Sequence, residues 1–166
     1  MNRCNLVSLS AIAIVMGLSL LSSNALAQQK SLKEQLVGSW TFVSCEVPPN
    51  ATRPAFCVNP SGSLSLDASG RYTQVIAAGD RPKAIIGSNR ADVKPEEYKA
   101  LAQGFVANFG TWSVNEADKT LTRRLEGALF PSAEGTEQKN SVSLTGDELK
   151  FGLPAGGTGT VWRRAK

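Results

Sequence analysis

The sequence predicts an all-β protein, an eight-stranded antiparallel up-and-down barrel with one amphipathic helix after the third strand. Short β-favouring runs recur at regular spacing along the chain. Turn signals such as Asp67-Ala68-Ser69-Gly70 and Thr145-Gly146-Asp147 separate them, and such signals join neighbouring strands as hairpins. A series of consecutive hairpins is typical of an up-and-down barrel.

Residues 1–27 have the pattern of a secretory signal peptide. Arg3 gives a short positive segment, residues 6–21 are apolar, and Ala25-Leu26-Ala27 is a small-x-small cleavage site. The apolar run is shorter than the roughly 20 residues that a membrane-spanning helix needs. We therefore expect cleavage between Ala27 and Gln28, and a periplasmic or secreted protein that has no membrane association afterwards.

The mature chain, residues 28–166, is expected to form one domain. The full sequence has 18 basic and 14 acidic residues and no histidine. The basic residues are spread along the chain without interleaved aromatic residues, which argues against nucleic acid as a partner. Without histidine or a second cysteine pair we expect no metal site. The common nucleophile–histidine triads are excluded, and no cofactor is expected.

Two cysteines remain in the mature chain because Cys4 lies in the signal segment. Cys45 and Cys57 most simply form one disulfide in an exported protein. The span between them contains Pro48, Pro49 and Pro54, which indicates a loop. Closing a loop of this size stabilises a fold by about 3 kcal/mol in the chain-entropy model. We expect this loop at the mouth of the barrel.

The elements follow in order from local patterns. Residues 31–36 predict a short helix that Ser31 caps, with Glu34 as its capping-box partner. The first strand starts after Gly38, and strand spacing places Trp40, Phe42 and Ser44 on one face. The remaining seven strands are predicted at residues 63–66, 71–77, 111–115, 120–126, 136–144, 148–153 and 158–164.

A longer helix is predicted over residues 95–109, from Pro95 to the break at Gly110. Its apolar side chains recur at helical spacing and share one face: Tyr98, Leu101, Ala102, Phe105, Val106 and Phe109. We expect this face to pack on the barrel.

Several segments resemble the bacterial lipocalin-like domain family of the calycin group. In the family's order they are Gly38-Ser39-Trp40, Pro95-Glu96-Glu97-Tyr98-Lys99, Phe109-Gly110-Thr111-Trp112, Leu125-Glu126-Gly127, Leu129-Phe130-Pro131, Gly135-Thr136 with Gln138, and Val161-Trp162-Arg163-Arg164. The resemblance implies a barrel closed at one end. It also implies a structural pair in which Arg163 or Arg164 lies across Trp40 near Gly38. Members often carry a histidine before the Glu-Gly pair, and its lack here argues against an acid–base enzyme.

Alternation along the strands identifies side chains that could line a cavity. The candidates are Phe42, Tyr72, Gln74, Arg124, Gln138, Asn140 and Phe151. This mixture of apolar groups and a few amides suits a small apolar molecule with one polar end. The alternative is a barrel filled by its own side chains, because eight strands leave room for packing or for one small ligand.

The fifth strand carries charged residues whose direction, inward or outward, the pattern leaves open. Arg124 and Glu126 share one face, whereas Arg123 lies on the other, between Leu121 and Leu125. One arginine is expected to point inward, and the pattern leaves open which one. An inward Glu126 is the one weak catalytic candidate.

Three functions follow from these residues. The leading hypothesis is an exported protein that binds or carries a small apolar molecule. The alternative is a barrel enzyme of isomerase, cyclase or hydrolase type, using Glu126 with Arg123 or Arg124. The third is an interaction module without a cavity.

Overall fold

Each strand of the barrel pairs antiparallel with its neighbours in sequence, and the last strand pairs with the first. The computed structural model describes residues 30–82, 92–152 and 157–166. In these ranges the strands are β1 (Gly38–Glu46), β2 (Ser61–Leu66), β3 (Arg71–Ala77), β4 (Phe105–Asn115), β5 (Thr120–Ala128), β6 (Glu137–Thr145), β7 (Glu148–Gly152) and β8 (Gly159–Arg164). The predicted fold class is confirmed. The predicted signal cleavage site lies outside the described residues.

Helices are few in the described ranges. They include α1 (Leu32–Leu36), α2 (Pro95–Gln103) and 3₁₀ turns at Ala55–Cys57 and Pro131–Ala133. None of the helices in the described ranges is long and apolar enough to cross a bilayer.

The short connections between strands lie at one end of the barrel, and the long connections start and finish at the other. Residues 67–70, 116–119 and 146–147 form short turns at one end, which we call the turn end. Residues 47–60, 78–104, 129–136 and 153–158 are the longer connections. Because neighbouring strands are antiparallel, the strand termini that these connections join all lie at the opposite end, which we call the loop end. The predicted cystine loop is one of them.

The barrel interior is mainly apolar. Its core contains Leu36, Trp40, Phe42, Leu64, Leu66, Tyr72, Ile76, Trp112, Leu121, Val142, Leu149, Phe151 and Trp162. The rings of Phe42 and Trp162 meet edge to face, with their centroids 4.8 Å apart. Such a pair contributes about 0.5–1.5 kcal/mol beyond the area that it buries.

Trp40 and Arg164 close the turn end. The Trp40 ring is 1% exposed, and its Nε1 donates to the carbonyl of Leu36 at 3.0 Å. The Arg164 guanidinium lies 4.2 Å from the centre of this ring. Arg163 is exposed, so Arg164 is the arginine of the expected pair.

Gly38 is required at this contact. It has φ +140°, and a side chain there would come within 3.0 Å of Arg164 Nη1. Backbone of this kind favours glycine. The glycine therefore lets the guanidinium approach the start of β1.

Helix α1 is attached to the turn end at both of its termini. Ser31 and Glu34 form the predicted capping box. Glu116, in the turn after β4, accepts from the backbone N–H groups of Leu32 and Lys33 at 2.8 and 2.9 Å. A carboxylate at a helix N-terminus satisfies free N–H groups and complements the helix dipole. At the other terminus, Arg164 donates to backbone carbonyls, as described below.

The prediction of one helix over residues 95–109 is wrong in its second half. Helix α2 ends at Gln103, and β4 begins at Phe105. Residues 105–109 pair instead with β3, from Phe105 opposite Ala77 to Phe109 opposite Thr73. These residues suit a strand as well as a helix, and their ladder completes the barrel between β3 and β5. Helix α2 has no fully buried residue. Of the predicted apolar face, Leu101 and Ala102 are half-buried and Tyr98 is exposed.

A bulge in β1 changes which side chains face inward. Phe42 lies opposite Trp162, but Ser44 lies opposite Val161, which shifts the register by one residue. Such a shift moves the following side chains to the other face. Ser44 was predicted to share a face with Trp40 and Phe42, and this prediction is wrong. Cys45 faces the interior instead.

Cys45 forms the predicted disulfide with Cys57. The two Cα atoms are 5.8 Å apart, and Cys57 is 2% exposed. The disulfide joins the loop-end terminus of β1 to the 3₁₀ turn within residues 47–60. It therefore anchors one long connection directly to the barrel wall.

Candidate functional site

A group of four polar side chains lies within the apolar interior, and we call it the interior polar cluster. Its members are Arg123 on β5, Gln74 on β3, and Gln138 and Asn140 on β6. The β5–β6 register places Arg123 opposite Gln138, and Gln74 approaches from across β4. Two strands, β3 and β6, therefore bring three amides to the guanidinium on β5.

Hydrogen bonds join Arg123 to all three amides. Its Nη1 donates to Gln74 Oε1. Its Nη2 donates to Asn140 Oδ1 at 2.9 Å and to Gln138 Oε1 at 3.2 Å. Asn140 in turn donates to the Gly152 carbonyl at 3.2 Å. These bonds orient the guanidinium, but the amides carry no charge and do not neutralise it.

Two aromatic rings flank the guanidinium. Its central carbon lies 5.7 Å from the centre of the Tyr72 ring and 5.6 Å from that of Phe151. Both rings are buried. A cation over aromatic rings gains about 0.5–2 kcal/mol, with the larger values at desolvated sites.

Arg123 has no carboxylate partner in the described part of the chain. All 14 acidic residues of the sequence lie in that part. The ion pairs that these acidic residues form are with Arg71, Lys150 and Arg164. Arg123 is 6% exposed, and this burial lowers the pKa of its guanidinium. Arginine nevertheless stays protonated in proteins. The interior therefore holds a buried cation without a counter-ion from these residues.

Three buried polar atoms near this region make no hydrogen bond to the described residues. They are Arg123 Nε, the Tyr72 hydroxyl and Asn108 Oδ1. Burial, the largest effect, raises the pKa of the Tyr72 hydroxyl, so this group keeps its proton and can donate. The site thus offers donors as well as one acceptor to a bound molecule.

Most of the predicted cavity residues lie inside the barrel. Phe42, Tyr72, Gln74, Asn140 and Phe151 are buried, and Gln138 reaches Arg123 from the loop end of β6. Arg124 does not belong with them. It is exposed on the outer face of β5, opposite Thr111 and Glu137. Arg123 occupies the interior instead, as its place between Leu121 and Leu125 could have indicated.

Glu126 lies on the outer face of the barrel. It accepts two hydrogen bonds from Arg71 Nη1, at 2.7 and 2.8 Å. The two side chains are 39% and 49% exposed. The enzyme hypothesis needed Glu126 inside the cavity beside an arginine, and the structure places it outside.

Asn108 is an interior residue that the sequence analysis missed. It is 9% exposed and lies opposite Gln74 in the β3–β4 ladder. It was missed because residues 105–109 were assigned to the helix. The alternation of Val106, Asn108 and Gly110 on one face of a strand was the signal that could have identified it.

Acidic residues and cysteines do not form a metal-binding group in the described ranges, where no three of them cluster. The arrangement offers a cationic and amide-lined binding surface rather than a set of metal ligands.

The sequence profile of the lipocalin-like domain family matches residues 37–158. The chain belongs to this family. A search of curated proteins finds no match.

A comparison with solved structures finds two Bacteroides proteins among its matches. One is an uncharacterized protein from Bacteroides eggerthii, at 14% identity, with a TM-score of 0.44. The other is a lipocalin-like protein from Bacteroides uniformis, at 13% identity and 0.42. Each comparison covers 78% of this chain and 98% of the other. A mutant of the fluorescent protein UnaG is 14% identical, with a TM-score of 0.36, over 80% of this chain and 97% of its own. Identities this low indicate nothing about a ligand.

Proposed function

We propose that this lipocalin-like protein is exported and binds or carries a small, largely apolar molecule inside its barrel. The observation that carries the proposal is the interior polar cluster within an apolar core. Burying polar and charged groups costs free energy unless they are fully paired. Gln74, Asn108, Arg123 and Asn140 are all buried, and two of them have an unpartnered atom. A barrel packed only for stability would favour apolar side chains here.

The ligand would enter from the loop end. At the turn end, Trp40, Arg164 and α1 cover the interior, and the strands there are joined by short turns. Gln138, the exposed member of the interior polar cluster, lies towards the loop end of β6. It is therefore the first of the four amide and guanidinium groups that an entering molecule would meet.

Export is supported by the signal pattern of residues 1–27 and by the disulfide. Disulfides persist in oxidising compartments and are rare in the cytosol. The test is the intact mass of protein recovered from the periplasm or medium of the expressing cell. We expect a chain that begins at Gln28 and carries one disulfide. Full-length protein that remains in the cytosol would contradict export.

Binding is tested on the mature protein with two measurements. Native mass spectrometry of protein from the exported fraction should show a bound small molecule that denaturation releases. N-phenyl-naphthylamine, a neutral apolar dye, should become fluorescent when added to protein stripped of that molecule. Absence of both signals would refute the proposed function.

A pair of variants on β3 distinguishes interior binding from binding at the surface. Gln74→Trp fills the interior and should weaken dye binding at least about tenfold, since one large side chain occupies the space of a small ligand. Thr73→Trp is the matched control, because Thr73 is the exposed neighbour on the other face. Equal dye binding by both variants would place the dye outside the barrel.

A further inference from the structure

We infer that the molecule bound in the barrel carries a carboxylate, and that this carboxylate binds Arg123. The inference rests on the proposed function and names the class of ligand. It is carried by three observations: a buried guanidinium without a counter-ion, an unpartnered donor on that guanidinium, and an unpartnered hydroxyl on the ring beside it.

The charge of Arg123 is the first step. It is the one charged residue among the buried residues of the described part, and no described acidic residue pairs with it. Desolvating a lone cation is costly, and an anion that enters the same low-dielectric site offsets this cost. A neutral ligand would leave the charge uncompensated.

The second step is the geometry of the guanidinium. Nη1 is held by Gln74, whereas Nε–H has no partner among the residues that the structure describes. Nε–H and one Nη2–H point along the same edge of the planar group, and the two oxygens of a carboxylate match such an edge. The Nη2 bond to Gln138 is the longer of its two, at 3.2 Å, and Gln138 is exposed. A carboxylate can therefore displace Gln138 while Gln74 and Asn140 keep the guanidinium in place.

Tyr72 provides a third donor. Its hydroxyl is buried without a partner, and a protonated phenol donates to a carboxylate oxygen. The buried residues of the described part include one arginine and no lysine, so the site matches one negative charge. A carboxylate supplies this charge, and the apolar interior receives the rest of the molecule.

The experiment compares dansyl-undecanoic acid with its methyl ester, which has the same apolar body without the charge. Wild-type protein should bind the acid at least about tenfold more tightly than the ester, a ratio typical of one charge-assisted hydrogen-bonded pair. Arg123→Met should remove this preference, so that the acid and the ester bind the variant with similar affinity. Arg124→Met is the matched control, because it removes the same charge from the outer face and should preserve the preference.

The outcomes separate the two proposals. Equal binding of acid and ester by wild-type protein, or an acid preference that survives in Arg123→Met, would overturn the inference and leave the proposed function standing. Failure of both probes to bind, together with absence of the native-mass and N-phenyl-naphthylamine signals, would refute the proposed function itself. If Arg123→Met does not fold, Arg123→Lys replaces it. Lysine keeps the charge but lacks the planar fork, so the acid preference should fall, and an undiminished preference would count against bidentate binding.

Discussion

Arg164 and Arg123 are both held inside the barrel, but their surroundings differ. Arg164 lies on the Trp40 ring and donates to the carbonyls of Gln35 and Val37 at 2.7 and 3.2 Å. Its Nε is 3.6 Å from Asp147. Arg123 is more deeply buried, binds neutral amides and leaves its Nε unpartnered. The contrast teaches that one arginine is paired at the end of the fold, whereas the other is buried with an Nε–H that has no partner among the described residues.

The turn end should therefore govern stability, and the interior polar cluster should govern binding. At the turn end, the Arg164 guanidinium stacks on the Trp40 ring and donates to carbonyls at the end of α1. The Trp40 indole also donates to the Leu36 carbonyl. In the cluster, by contrast, a charge is desolvated without full compensation. Substitutions at the two places should separate these effects, because the places share no described hydrogen bond.

The largest expected effect on stability is that of Trp40→Ala. Removing a fully buried aromatic side chain costs about 3–5 kcal/mol of unfolding free energy, and this one also loses its bond to Leu36. Urea unfolding measures the change. Val43→Ala serves as control, because Val43 is 40% exposed and should change the free energy by less than about 1 kcal/mol. A small loss for Trp40→Ala would show that the turn end does not govern stability.

Loss of the disulfide tests the contribution of the loop end. Replacing Cys45 and Cys57 together by serine should lower the unfolding free energy by about 3 kcal/mol, since the unfolded chain regains the entropy of the open loop. The comparison is with wild-type protein kept oxidised, again in urea. An unchanged midpoint would mean that residues 47–60 are held by other contacts.

Arg164→Met is expected to cost about 2 kcal/mol, because the cation–π contact and the hydrogen bonds to the carbonyls of Gln35 and Val37 are lost. Arg163→Met provides the matched control. Arg163 is the exposed neighbour on the same strand, and its removal should cost less than about 0.5 kcal/mol. Equal effects of the two substitutions would remove the distinction on which the comparison depends.

Arg123→Met should change the unfolding free energy of ligand-free protein by no more than about 1 kcal/mol. Its lost bonds to three amides destabilise the fold, and release from desolvating a charge offsets that loss. Thermal or urea unfolding of protein freed of ligand is the measurement. A loss as large as that of Arg164→Met would indicate that Arg123 also has a mainly structural role.

The smallest effect is expected for Glu126→Gln. Its ion pair with Arg71 is about half exposed, and such pairs contribute about 0–1 kcal/mol. Dye binding should stay within about twofold of wild type. A large loss of binding or of turnover of a bound molecule would revive the enzyme hypothesis that the outward position of Glu126 removed.

The strand count was predictable because each hairpin is specified locally. Asp67 and Gly70, for example, determine a turn whatever the rest of the barrel does. Residues 105–109 were not predictable in the same way. Their apolar spacing suits a helix, and only the pairing of β3 with β4 makes them a strand. Gly104, which directly follows α2, was a signal for the end of that helix. A single glycine does not always end a helix, so this signal alone did not decide the boundary.

The site was predictable in its composition and less so in its exact residues. Alternation identified Gln74, Asn140 and Tyr72 as inward candidates. It left Arg123 and Arg124 undecided, although Arg123 lies on the same face as Leu121 and Leu125. The bulge after Phe42 was also invisible, since an extra residue in one strand depends on its partner β8. Side-chain direction in a barrel is a property of paired strands rather than of one segment.

Short turns lie at one end of the barrel and long connections at the other. The long connections at the loop end, which we call the rim, can therefore vary in sequence while the turn end stays unchanged. Residues 47–60 and 129–136 belong to the rim, and the base formed by Trp40, Arg164 and α1 does not include them. New sequences could therefore be grafted at residues 129–136 to alter which molecules gain entry, while the base and the Cys45–Cys57 disulfide continue to set the melting temperature. In such a scaffold, ligand selectivity and thermal stability could be engineered separately.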